Sequence, residues 1–309
     1  MRVAITGATG FIGRRLVDRL LADRPEVVAL TRDPTRARAT LPRAARAVRW
    51  DPRAGTVDAT ALRDLDAVVH LAGESVAGGR WTAARKAAIR DSRVLGTDAL
   101  VHALTAAPAG ARPRALVAAS AIGIYGDRGD VELDERAPPG DDFLAEVCSA
   151  WEAAARGAAD LGVRVAIVRI GIVLGRDGGV LGRMLPLFRL GLGGRLGSGR
   201  QWMSWIHVDD LVALFVSALA DDAVTGVLNG VAPRPVTNAE FTRTLAAALA
   251  RPAILPAPAF ALRLALGEMA TLLLASQRVV ANAAALARGF RFEYAELTSA
   301  LADLCHPLR

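Results

Sequence analysis

The chain has 309 residues, of which 52% are hydrophobic and 22% are charged, a composition typical of a globular protein with a large core. Its net charge of +7 comes mostly from arginines scattered singly among alanines, which does not favour a nucleic-acid interface. Of the 38 basic residues only Lys86 is a lysine, which indicates a bias in codon usage. The apolar runs are short and interrupted by charges, so no membrane partner is expected.

Cysteine and histidine usage excludes two further classes of protein. The two cysteines, Cys148 and Cys305, do not form a disulfide framework, and with four histidines they show no metal-ligand spacing, so no metal is expected. Met1 leads directly into a strand-like segment without the features of a secretory leader. The sequence therefore predicts a cytoplasmic protein.

Apolar runs alternate with amphipathic stretches along the first two thirds of the chain. Buried strands are predicted for Arg2–Thr6, Val27–Thr31, Asp66–Ala72, Ala115–Ser120 and Val163–Val173. Helices are predicted for 12–23, 82–105, 142–160 and 208–220. Such alternation favours an α/β fold with a parallel sheet covered by helices on both faces.

The pattern changes after about residue 250 and becomes mostly helical. The proline-rich stretch RPAILPAPAF, residues 251–260, leads into this segment. We therefore expect a main domain over 1–220 and a smaller C-terminal lobe on the substrate side over 221–309.

A glycine motif, ITGATGFIGRRL, lies between the first strand and the first helix. Gly7, Gly10 and Gly13 would let a pyrophosphate approach the backbone at the positive end of the helix. The motif therefore predicts a dinucleotide site that includes the intervening residues Thr9, Phe11 and Ile12.

The end of the second strand discriminates between NAD and NADP. An acidic residue there would bind the ribose 2′-hydroxyl of NAD, whereas Thr31 and Arg32 occupy the position here, and an arginine suits a 2′-phosphate. Asp33 is a competing candidate one residue later, although Pro34 after it indicates a turn. NADP(H) is the expected cofactor.

Several motifs carry a resemblance to a known family. TGATGFIG, HLAG, GESVAGGRWTAARKAAIRDSR, GSGRQWMSWIHVDDL and GEMATLLLASQRV are spread over the whole chain. Together they resemble an atypical, epimerase-like branch of the extended short-chain dehydrogenases/reductases, which includes the bacterial YfcH-type proteins and the human family 39U member. The resemblance implies a Rossmann-type, doubly wound parallel sheet and an NADP site. It also implies that about 255–302 form a domain of unknown function, DUF1731.

The resemblance also implies contacts to the cofactor from the strand end at Leu71, Ala72 and Gly73, and from Arg93 in the following helix. In extended members the glycine-rich segment after Leu190 closes over the substrate. On this basis the candidates for substrate contact are Glu74, Arg200, Gln201, Trp202 and Trp205.

The proton-transferring residues of the superfamily are missing. Its usual apparatus is a Ser or Thr with a Tyr-x-x-x-Lys pair, and neither tyrosine of this chain has a lysine four positions later. The helix 142–160 places the tyrosine and lysine positions at Leu144 and Cys148, and Ala121 takes the place of the catalytic hydroxyl.

Three residues remain as candidate replacements. Tyr125 lies near the predicted carboxyl edge of the sheet and could act as a general acid or as a packed ring. Cys148 could supply a thiol or fill space, and Ser120 is the hydroxyl next to the lost position. Glu74 or Glu146 could act as a base, whereas His207 could be an acid–base group or a structural part of the turn into the helix at 208.

Two functional hypotheses remain open. One is an oxidoreductase or epimerase that uses NADP(H) on a small, sugar-like or anionic substrate with a non-standard acid or base. The other is a catalytically silent protein that binds NADP(H) as a sensor or scaffold.

Overall fold

A computed structural model describes residues 1–23, 25–52, 56–57, 62, 64–281, 286 and 288–305. Its strands are β1 (Arg2–Thr6), β2 (Glu26–Thr31), β3 (Arg46–Asp51), β4 (Thr56–Val57), β5 (Ala67–His70), β6 (Ala115–Ala121), β7 (Glu132–Leu133), β8 (Arg164–Ile170), β9 (Ile172–Gly175), β10 (Trp202–Met203), β11 (Trp205–His207), β12 (Gly226–Gly230), β13 (Val236–Thr237) and β14 (Arg278–Val279). The helices are α1 (Phe11–Ala22), α2 (Pro34–Thr40), α3 (Ala83–Thr105), α4 (Phe143–Arg156), α5 (Gly179–Arg189), α6 (Val208–Ala220), α7 (Asn238–Ala248), α8 (Ala259–Leu266), α9 (Thr271–Leu274) and α10 (Leu297–Cys305).

Seven parallel strands form the central sheet, in the order β12-β8-β6-β5-β1-β2-β3, and β4 adds an antiparallel edge. The strand order reverses beside β1, which is the point where doubly wound sheets bind their ligands. Helices α1 and α6 pack together on one face of the sheet, and α3 packs with α4 on the other. The predicted Rossmann-type fold is confirmed.

One predicted strand proves to be two strands with different partners. The run predicted over Val163–Val173 breaks at Gly171, where a Cβ atom would lie 2.5 Å from the Ser204 carbonyl oxygen. β8 stays in the central sheet, whereas β9 leaves it and pairs with β11. The interruption carries the chain out of the main sheet and into the second lobe.

A third core cluster holds the substrate-side lobe together. It combines side chains from 174–205 with others from 232–304, so this lobe draws on both sides of the boundary predicted after residue 220. Helix α10 contributes Leu297, Ala300 and Leu301, all buried. Asp210 on α6 accepts backbone hydrogen bonds from Glu293 and Tyr294, which fixes the chain just before α10.

Replacing a buried leucine of α10 tests whether the C-terminal segment folds with the rest. Leu301 is fully buried, so Leu301→Ala should lower the free energy of unfolding by about 2–5 kcal/mol in urea denaturation. Leu264→Ala is the matched control, because that side chain is 77% exposed and its loss should change stability by less than about 0.5 kcal/mol. Equal effects of the two variants would show that α10 is not part of the core.

Candidate functional site

The turn between β1 and α1 is built around atoms that exclude side chains. Gly7 has a φ of +70°, and its carbonyl oxygen accepts a hydrogen bond of 2.9 Å from the Gly10 N–H. A Cβ atom on Gly13 would lie 2.2 Å from that same oxygen. The turn therefore requires glycine where the chain enters the helix, and it forms a cradle that a side chain would fill.

The N-terminus of α1 is open to an anion. Its capping residue, Gly10, offers no side-chain oxygen to the first N–H groups, and Thr9 and Gly10 are exposed. The Phe11 ring packs against Gly175, so closely that a Cβ atom added to Gly175 would lie 2.2 Å from the ring. Ile12 packs against the core. The backbone of this turn, rather than its side chains, is thus presented to a ligand.

The end of β2 presents Arg32 with its side chain exposed. Thr31 is half-buried, and its hydroxyl accepts a hydrogen bond from the Asp33 N–H. The competing candidate, Asp33, caps helix α2 by accepting a hydrogen bond of 3.0 Å from the Arg36 N–H. Because the Asp33 carboxylate has this structural role, Arg32 remains a candidate for contact with a 2′-phosphate.

A buried polar chain fixes the neighbouring strand end, and sequence reasoning missed it. The two ring nitrogens of His70 lie 2.7 Å from the Thr6 hydroxyl and 2.9 Å from the Thr97 hydroxyl. Burial lowers the pKa of His70 to about 4, so the ring is neutral. The Thr6 hydroxyl in turn accepts the N–H groups of Leu71 and Ala72. This chain aligns two predicted cofactor contacts beside the glycine turn.

Arg93 lies under the loop that follows β5. Its guanidinium donates to the carbonyl oxygens of Glu74 and Ile89 and lies 5.1 Å from the Trp151 ring. A Cβ atom on Gly73 would come within 3.2 Å of that guanidinium. Burial lowers the pKa of Arg93. Its hydrogen bonds stabilise the loop after β5.

Ser120 and Tyr125 belong to one buried network. The Ser120 hydroxyl donates to Glu152, which is held by two hydrogen bonds from Arg169. The Tyr125 hydroxyl donates to Asn229 at 2.7 Å and accepts from Arg169 at 2.9 Å. Burial raises the pKa of Tyr125, whose side chain is fully enclosed. Of the two alternatives for Tyr125, the geometry favours the packed ring, since its proton is held inside the fold.

Cys148 is also enclosed. It is 3% exposed, and burial raises the pKa of its thiol to about 12, so no thiolate nucleophile forms near neutral pH. Leu144 occupies the position of the lost tyrosine and packs against Gly123. A Cβ atom added to Gly123 would lie 3.3 Å from the Leu144 side chain. The surface that normally carries the acid is apolar here.

Two of the predicted substrate contacts are part of the core. Trp205 is fully buried in strand β11, and its indole N–H donates to the Arg234 carbonyl. Gln201 is buried as well, and its amide donates to the carbonyls of Leu196 and Leu273. Both assignments are corrected, because neither side chain reaches a surface.

The other predicted substrate contacts belong to two different segments of the chain. Trp202 is half-buried, with its indole N–H bonded to Asp130, and Arg200 is exposed. Glu74 follows strand β5 and pairs with Arg85 at 3.0 Å. Glu74 therefore belongs to the loop after the strand end that contacts the glycine turn, whereas Arg200 and Trp202 belong to the segment around β10.

His207 occupies the cap of helix α6. Its Nδ1 accepts the Asp209 N–H, and its ring stacks on Tyr294 with centroids 3.9 Å apart. Burial lowers the pKa of His207, although the nearby carboxylates raise it. Of the two alternatives, the geometry favours the structural one.

Lys86, near the start of α3, is a further functional candidate, in the helix expected to lie beside the cofactor. Its Nζ lies 2.5 Å from Glu268, which follows α8, and 4.9 Å from the centroid of the Phe143 ring. Phe143 precedes Leu144 at the lost tyrosine position and meets Trp81 edge to face at 5.2 Å. From the sequence alone, the single lysine indicated only a bias in codon usage, and it is the contact with Glu268 that makes Lys86 a candidate.

The parallel sheet, the glycine turn at its switch point and the open helix N-terminus define a Rossmann-type dinucleotide-binding protein. A family model described as the NAD dependent epimerase/dehydratase family matches residues 3–229, and one for a domain of unknown function, DUF1731, matches 257–304. The chain belongs to the NAD dependent epimerase/dehydratase family.

Relatives match over almost the full length. The chain is 44% identical to the chloroplastic SDR39U1 homolog of Arabidopsis thaliana over 97% of this chain and 86% of that protein. It is 41% identical to the epimerase family protein SDR39U1 of Homo sapiens, over 98% and 99%. The crystal structure of human SDR39U1 with NADPH superposes with a TM-score of 0.89 at 40% identity, covering 100% of both chains. MoeE5 with UDP-glucuronic acid and NAD gives 0.77 at 26% identity, covering 98% and 97%.

The enclosure of Cys148 predicts its chemical behaviour. Because its pKa is raised to about 12, iodoacetamide at about pH 8 should leave Cys148 unmodified in the native protein and alkylate it fully in urea. A Cys305→Ser variant isolates the signal of Cys148 in mass spectrometry, and Cys148→Ala reports on Cys305 alone. Rapid alkylation of native Cys148 would contradict the enclosed, protonated thiol and return it to the candidate nucleophiles.

Proposed function

We propose that this protein binds NADP(H) and reduces or epimerises a small substrate with Lys86 as the acid that replaces the lost tyrosine. The observation that carries the proposal is the Lys86–Glu268 ion pair, whose lysine lies over the ring of Phe143, the residue before Leu144. It joins the family domain to the C-terminal segment at the edge where the substrate of such folds enters.

Support for the cofactor comes from the glycine cradle and from the human relative crystallised with NADPH. The N–H groups of the α1 turn suit the pyrophosphate, and Arg32 suits the 2′-phosphate. The half-buried strand end at Leu71 and Ala72 would line the cofactor on its other side. When bound, NADPH supplies a hydride.

The step left to the chain is the delivery of a proton to the substrate oxygen. An ammonium group can hold that proton at Nζ and release it as the oxygen gains charge, and water then reprotonates the amine. The Glu268 carboxylate holds the ammonium group of Lys86 in place. The other candidates cannot do this, since the hydroxyls of Ser120 and Tyr125 are bound within the fold.

A second candidate function is a catalytically silent NADP(H) sensor or scaffold. The observation that favours it is the enclosure of Ser120, Tyr125 and Cys148, which leaves the usual catalytic face without a polar group from these three residues. The two functions differ in one measurable respect, because only the first converts a substrate, either by a reduction that consumes NADPH or by an epimerisation that changes the configuration of the product.

The 2′-phosphate assignment is tested by replacing Arg32. Arg32→Ala should raise the Kd of NADPH by about tenfold to a hundredfold, because a charge-assisted hydrogen bond is lost, and should leave the Kd of NADH unchanged. Arg114→Ala is the control, since Arg114 is exposed at the opposite edge of the sheet. Equal losses for both nucleotides would refute the assignment.

The acid role is tested on turnover with a panel of carbonyl compounds and nucleotide sugars. Lys86→Met and Lys86→Arg should both reduce kcat by about 10²–10⁴-fold, since arginine keeps the charge but cannot release its proton. The Kd of NADPH should not change in either variant. Full activity in Lys86→Arg would remove Lys86 from the chemistry, whereas tight NADPH binding with no turnover of any substrate by the wild type would favour the silent function.

A further inference from the structure

The substrate-side lobe has an unusual distribution of charge. Residues 178–208 and 241–267 contain no aspartate or glutamate, although acids are present on both sides of each segment. The same two segments contain seven arginines, and all seven are exposed. Within the part of the chain that the structure describes, none of the seven forms an ion pair.

The same segments expose large apolar side chains. Of the eleven such side chains exposed among the described residues, seven belong to 187–192 and 254–264. Ile254, Phe260 and Leu264 are 76%, 73% and 77% exposed. Single exposed apolar residues are ordinary, but a group of seven on one lobe indicates an interaction surface.

Backbone contacts bring these residues together. The Leu255 N–H donates to the Gly193 carbonyl, and the Arg251 side chain donates to the Arg189 carbonyl. The loop after α5 therefore runs beside the segment before α8, which places Leu190 and Leu192 near Ile254 and Leu255. We call the exposed apolar and arginine side chains of 187–195 and 251–264 the lobe surface.

Helix α8 continues the lobe surface. Phe260 and Leu264 are one turn apart and exposed, and Arg263 is exposed between them. An exposed helix with aromatic and leucine side chains next to arginine has the composition of helices that lie in the interface of a bilayer.

We propose that the lobe surface binds peripherally to an anionic lipid bilayer, with Phe260 and Leu264 entering the acyl boundary and the arginines contacting lipid phosphates. Charge complementarity selects this occupant, because the surface is basic throughout its two segments and lipid headgroups supply the missing acids. A second copy of the chain is a poorer partner, since a symmetric contact would oppose the four arginines of one lobe surface to the same four of the other.

This inference revises one expectation from the sequence. The expected absence of a membrane partner was based on the lack of a spanning segment, and among the helices of the described residues none is long and apolar enough to cross a membrane. A surface-bound lobe needs no spanning helix, because arginines and a short apolar face are sufficient for reversible attachment.

The test is co-sedimentation of the full chain with vesicles. The wild type should sediment with vesicles of phosphatidylcholine and phosphatidylglycerol in equal parts, and not with phosphatidylcholine alone. The triple variant Ile254→Ser/Phe260→Ser/Leu264→Ser should bind at least tenfold more weakly. Arg251→Gln and Arg263→Gln should each lower the partition coefficient about fivefold and reduce its dependence on salt.

Leu95→Ser/Val131→Ser is the matched control, because both side chains are exposed and lie outside the lobe surface. Its binding should equal that of the wild type, and the single variant Phe260→Ser keeps the test valid if the triple variant fails to fold. No binding of the wild type to anionic vesicles, or equal binding of the triple variant, would overturn the proposal. Dimerisation of the wild type that the triple variant abolishes, without vesicle binding, would assign the surface to a second copy instead.

Discussion

The arrangement of the cleft depends on the buried ion pair of Arg169 and Glu152. Both side chains are almost fully enclosed, and taking two charges out of water is stabilising only when their geometry and remaining hydrogen bonds are complete. Ser120 and Tyr125 complete them, and Asn229 holds the tyrosine from β12. The hydroxyls of Ser120 and Tyr125, which the sequence suggests for catalysis, thus complete the hydrogen bonds of the ion pair. Releasing either hydroxyl would leave a buried charge without one of its hydrogen bonds.

This constraint displaces any proton chemistry toward the rim of the cleft. Leu144 and Cys148 present an apolar surface, and the titratable pair of Lys86 and Glu268 reaches the adjacent Phe143 ring. One partner comes from the family domain and the other from the segment matched by DUF1731. The C-terminal segment would then supply a charge to the site rather than only cover it, which gives a physical reason for the two segments to occur in one chain.

The sequence predicted the features that are set locally. The glycine turn, the helices and the strand ends were recoverable because each depends on a few adjacent residues. The break at Gly171 could not be predicted, because the carbonyl oxygen that leaves no room for a side chain there belongs to Ser204, which is distant in sequence. Trp205 was misassigned for a similar reason, because its strand pairs with β9 and turns the indole into the lobe core. The sole lysine was visible, but its value depended on the distant Glu268.

The segment around α8 connects the two proposals. It exposes Phe260 and Leu264 outward, and two residues after its end Glu268 pairs with Lys86. The Arg80 side chain also reaches the Leu264 carbonyl from the loop after β5. A bilayer or another partner that fixed α8 would therefore act on a segment only one turn from the ion pair. Because hydrogen bonds and ion pairs couple only through such contiguous contacts, any influence of surface binding on the cleft would have to pass through this segment.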